Sequence, residues 1–166
     1  MTAVPRLTGL ALAAALVFGA GSAHAARGLL AGLLARAPAA PGAAVSLGAG
    51  KLEGCLRTAR DLDKTGAALD DAMSDVQRTA AEAMFLQYQN NAQLPALDSA
   101  GEQAKTDLGL RVARHDELSQ KMKSQYAAYQ KRQTDYEVAV AAFERDCAGT
   151  FSRADLDAAK LKLQIK

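Results

Sequence analysis

The sequence predicts an all-α protein. The expected fold is a long antiparallel two-helix coiled-coil hairpin, stapled by one disulfide between Cys55 and Cys147, with a short C-terminal helix. Three observations predict it. Two long proline-free stretches repeat apolar residues at alternating steps of three and four. The two cysteines of the chain fall at repeat positions that can meet. The turn-like stretch between the two repeats lies midway between those cysteines.

Residues 1–25 read as a secretory signal peptide. Arg6 supplies the positive start, Leu7 to Ala20 is almost wholly apolar, and Ala23-His24-Ala25 places small residues where a signal peptidase reads them. The apolar run is too short to be a convincing transmembrane helix, so no stable membrane span is expected after cleavage. An uncleaved anchor is the competing reading. Export fits the cysteine pair, because exported chains meet an oxidising compartment. The bacterial periplasm is the expected location.

Residues 26–50 are rich in Ala, Gly, Leu and Pro and read as a flexible linker. Prolines at 38 and 41 forbid one continuous helix there. Residues 28–34 (GLLAGLL) are more apolar than a linker requires. The hairpin is expected over 51–149, with arms at about 51–90 and 106–147 and a connection over 91–105, where Asn90-Asn91 and Pro95 interrupt the pattern. Gly149 marks the end of the second arm. Residues 150–166 form a tail in which Ser152 and Asp155 resemble a capping box, opening a short helix to about Leu163.

The first repeat runs Leu52, Cys55, Ala59, Leu62, Gly66, Leu69, Met73, Val76, Ala80, Ala83. The second runs Leu108, Val112, His115, Ser119, Met122, Tyr126, Tyr129, Gln133, Tyr136, Val140, Phe143, Cys147. Joining Cys55 to Cys147 in an antiparallel pair sets every other layer. Ala59 then faces Phe143, Gly66 faces Tyr136 and Met73 faces Tyr129. Small residues on one arm meet large ones on the other, which fills a seam without voids. The midpoint of this pairing is Gly101. Each arm would be about 50 Å long at 1.5 Å per residue, predicting a rod. Closing a loop of about ninety residues would contribute roughly 4–5 kcal/mol.

Composition narrows function without naming one. The net charge of +2 gives no push toward nucleic acid. With the leader removed, His115 is the one remaining histidine. The sequence has no CxxC, HExxH, GxSxG or phosphate-cradling glycine loop. No cofactor or metal is expected, and the protein reads as a non-enzyme.

Four residues stand out as candidates. Gln87 and His115 face each other in the pairing and form a polar layer that could set register. Phe85 and Tyr88 fall on the outer face near the turn. Either the connection folds Leu94, Leu97 and Leu110 over them as a small cluster, or they are an exposed partner-binding patch. The Asp-rich first arm and the Lys/Arg-bearing second arm read as solvated surface.

The leading expectation is an exported protein acting through protein–protein contacts, as an accessory or structural component of a cell-envelope or secretion assembly. The alternatives are a periplasmic chaperone that binds unfolded clients and, less favoured, a small metal-binding or enzymatic protein. The partner's identity is open. Apolar flanks at Leu56, Leu86 and Leu118 leave homo-oligomerisation open as well.

Overall fold

A computed structural model describes residues 28–40, 42, 44, 46–99 and 101–165. The expected signal peptide lies outside the described residues, as do positions 26, 27, 41, 43 and 45 of the expected linker. In chain order the elements are α1 (Leu29–Ala35), α2 (Ala49–Gln93), a 3-10 helix (Leu94–Ser99), α3 (Glu102–Asp146) and α4 (Arg153–Leu163). The fold is the expected helical hairpin with a short last helix. No strand occurs among the described residues.

Both long helices extend beyond the expected arms toward the connection. α2 passes through Asn90 and Asn91 and stops at Gln93. Pro95 lacks the N–H that would bond back along an α-helix, so the α ladder gives way there to a 3-10 helix. α3 begins at Glu102, whose negative charge suits a helix N-terminus.

The chain divides into two compact units, and α2 and α3 contribute to both. The described part of one unit comprises residues 28–40, 42, 44, 46–70 and 131–165. In it the sulfurs of Cys55 and Cys147 are bonded, with Cα atoms 5.8 Å apart. Leu52, Ala59, Leu62 and Leu69 of α2 are buried, as are Tyr136 and Phe143 of α3. Gly66 makes room for a tyrosine: a Cβ there would sit 3.0 Å from Tyr136 Oη. Leu33, Leu47, Leu56, Phe151 and Leu156 are also buried. The core of this unit is therefore wider than one two-helix seam, and the flank expected to be open at Leu56 is closed.

The segment expected as a flexible linker contains α1 and is fastened at several points. α1 has no capping side chain of its own at Gly28. Asp63 of α2 supplies one from a distance. Its Oδ1 accepts from the N–H groups of Gly28 (3.0 Å) and Leu29 (2.9 Å), and its Oδ2 from that of Leu30 (3.1 Å). Arg36 Nη1 donates to the Cys147 carbonyl at 2.7 Å. The Ala39 N–H donates to the Phe151 carbonyl, and those of Ser46 and Leu47 to the Thr150 carbonyl. Thr150 answers with its own N–H to Ser46 Oγ and its hydroxyl to the Ala44 carbonyl. The composition favours flexibility, but these tertiary bonds and the burial of Leu33 and Leu47 order the backbone.

Gly149 is required by this contact. A Cβ there would lie 2.8 Å from Leu47 Cγ and closer still to Ser46 Oγ. α4 is capped as expected, with Ser152 Oγ accepting from the Asp155 N–H at 3.0 Å.

The described part of the other unit is Asp71–Gln130 without residue 100. Met73, Val76, Ala83 and Asn90 of α2 are buried, with Leu108, Leu118, Met122 and Tyr129 of α3. Leu118 is buried while the expected seam residue Ser119 is only half-buried, so the apolar neighbour takes the polar residue's place. The rings of Tyr126 and Tyr129 stack at 6.3 Å and 15°. Thr79 stays satisfied within this seam by donating to the Asp75 carbonyl at 3.0 Å.

Candidate functional site

The candidate site lies on α2 within the Asp71–Gln130 unit. Phe85 is 60% exposed, Tyr88 73% and Met84 53%. The cover expected from the connection does not form, since Leu94 and Leu110 are themselves exposed at 39% and 67%. The reason is length. The 3-10 helix follows α2 directly and α3 restarts at Glu102, which leaves too little chain to fold back.

Residues three and four apart share a helix face. Ala81, Met84, Phe85, Tyr88 and Ala92 therefore form one outward stripe, and all five are exposed. Around it the helix carries no charge: residues 83–97 include no Asp, Glu, Lys or Arg. Gln87, Gln89 and Asn91 provide neutral amides instead. The nearest charge is Glu82, which takes part in an ion pair with Arg114 at 3.4 Å. Arg114 also holds Glu117 at 2.8 Å. The hydrogen bond to Glu117, and then that to Glu82, raise the already high pKa of this guanidinium.

A polar group does lie in the seam beneath this stripe, one turn from its expected place. Asn90 is 1% exposed. Its Oδ1 accepts from Arg111 Nε at 3.3 Å, and Arg111 Nη2 donates to Gln93 Oε1. The predicted pair is looser. Gln87 and His115 are both half-buried, and His115 Nδ1 lies 3.1 Å from Asp116 Oδ1 of its own helix. The sequence pattern places Asn90 with Asn91 at the interruption of the repeat, not inside the seam. Its part-buried, charge-assisted bond to Arg111 makes it the stronger determinant of register here.

The unit holding the disulfide presents an open groove. It is lined by Leu62, Thr65, Ala68, Leu69, Arg132, Asp135, Tyr136 and Ala139. Its floor is mainly apolar, and Arg132 and Asp135 add opposite charges to the lining. The charge-free run around Phe85 and the fastened segment before α2 are the features that sequence reasoning missed. The first was visible in the residues themselves, whereas the second depended on long-range partners.

Among the described residues, no group of three or more His, Cys, Asp or Glu side chains is placed to hold a metal ion. Among them, too, no helix is long and apolar enough to cross a membrane. No protein-family model, curated protein or solved structure matches the chain.

Proposed function

We propose that this is an exported, non-enzymatic helical-hairpin protein that acts through protein–protein contacts. In this reading it is an accessory or structural component of a cell-envelope or secretion assembly. Its contact surface is the face bearing Met84, Phe85 and Tyr88. One observation carries the proposal: three large apolar side chains stand together, more than half exposed, on a charge-free part of α2. A grouped apolar surface of this kind marks a place that a partner covers. Export is supported by the leader-like residues 1–25 and by the buried Cys55–Cys147 disulfide, which suits an oxidising compartment.

The test is comparative capture from the envelope of the source cells. Wild type, a Phe85→Ala/Tyr88→Ala variant and a Val138→Ala control serve as baits. Val138 is 66% exposed in the other unit. The proposal expects a defined partner with wild type and the control, and its loss with the double variant. Equal capture by all three, or a protein kept inside the cytoplasm with free thiols, contradicts it. Weak capture of many unfolded chains would favour a chaperone.

A further inference from the structure

We propose that the partner of the Met84–Tyr88 face is a second copy of this chain, with the two α2 helices laid antiparallel across a two-fold axis at the level of Leu86 and Gln87. The inference rests on the contact role proposed above for the same face, and it names the occupant.

The stripe reads the same in both directions. Ala81, Phe85, Tyr88 and Ala92 run small, aromatic, aromatic, small, at steps of four, three and four. A two-fold interface sets each residue against its counterpart in reverse order. Ala81 then meets the second copy's Ala92, and Phe85 meets its Tyr88. The small ends let the helices approach, and the aromatic pairs at the centre can take an offset or edge-to-face arrangement.

Charge permits the same pairing. In this register α2 can pair over residues 80–93, bounded by its end at Gln93. Glu82 is the one charged residue in that span, and it falls opposite Asn91. No like charges are brought together, so the usual repulsion between identical surfaces is absent.

Area decides the kind of partner. Met84, Phe85 and Tyr88 expose between half and three-quarters of their surfaces. With side chains of about 150–250 Å², this amounts to roughly 350 Å² per copy. Ala81, Gln89, Ala92 and Leu94 bring the total for two copies to about 1,000 Å², below the roughly 1,200–2,000 Å² of stable interfaces and in the class of weak, reversible ones. A globular partner of standard footprint would need about 800 Å² on each side, more than this face offers. A single helix as narrow as the stripe fits it, and the dimer it makes is reversible.

Sedimentation of the oxidised, purified protein over a wide concentration range tests the association. Wild type should shift from monomer to dimer as concentration rises. A Phe85→Lys/Tyr88→Lys variant should weaken that association at least about tenfold. Both sites are exposed, so its helical circular dichroism should be retained. Val138→Lys, which adds charge elsewhere, should leave the dimer intact.

Spin labels test the direction. Across the two-fold, labels at position 91, which leaves the aromatic pair intact, sit about 13.5 Å apart along the axis and those at 77 about 28 Å apart. The pair distance should therefore be short at 91 and long at 77. Equal distances at both sites would mean a parallel pair and overturn the geometry. A protein that stays monomeric throughout, whether its face is open or covered by its own residues 1–25, overturns the proposal. So does a dimer indifferent to the double variant. Loss of a different captured partner with the Phe85/Tyr88 variant would survive that result, so the two readings fail separately.

Discussion

Asp63 shows how one side chain converts apparent linker into structure. Its carboxylate accepts the first three backbone N–H groups of the α1 turn, a task normally given to the residue just before a helix. Replacing it with Ala should detach α1 locally rather than unfold the protein. Hydrogen exchange at residues 29–35 should speed up by about tenfold, consistent with losing roughly 1–2 kcal/mol of charge-assisted bonding. Unchanged exchange would mean that the apolar contacts of Leu33 suffice. Gly149→Val should cost about 1–3 kcal/mol in denaturant unfolding, because Ser46 and Leu47 occupy the space of the new side chain. Residues whose partners are close in sequence were legible from sequence alone. Ser152 and Asp155 are three apart and formed the cap expected of them. The partners of Asp63 lie 33 to 35 residues away, and no local pattern announces such a bond.

The elements were legible for a different reason. A sustained three-and-four repeat fixes which helix face is buried, and Gly66 beneath Tyr136 confirms the layer that the cysteines set. Errors arose where the repeat turned polar or ended. Leu118 fills the seam beside Ser119, and α2 runs past Asn90 because Arg111 bonds that side chain inside the seam. The expected cover over Phe85 and Tyr88 failed because helix and 3-10 helix consume the residues that would have made it. It follows that, at concentrations too low for the chain to self-associate, Phe85→Ala/Tyr88→Ala should change unfolding stability by less than about 0.5 kcal/mol, as exposed substitutions do. A thermal melt followed by circular dichroism checks this. A large drop would mean that the face packs within the molecule and is not free for a partner.

For the whole molecule, covalent chemistry joins segments far apart in the chain. The Cys55–Cys147 bond closes a span of 92 residues. Its removal in a Cys55→Ser/Cys147→Ser variant should cost about 4–5 kcal/mol in the chain-entropy account, measured by denaturant unfolding. Non-reducing peptide mapping should find the two cysteines joined within one chain. Around that bond, Ala39, Ala44, Ser46 and Leu47 are fastened to Thr150 and Phe151, so the covalent staple and the segment before α2 support the same unit. The other unit carries the charge-free outward face.

The most direct test of a contact role for that face is photo-crosslinking in the source cells. A photoreactive phenylalanine analogue would replace Tyr88 in one strain and Val138 in another. The account predicts a discrete heavier adduct from position 88, at the mass of a dimer if the partner is a second copy, and none from 138. No adduct at position 88, or the same adducts from both positions, would contradict it.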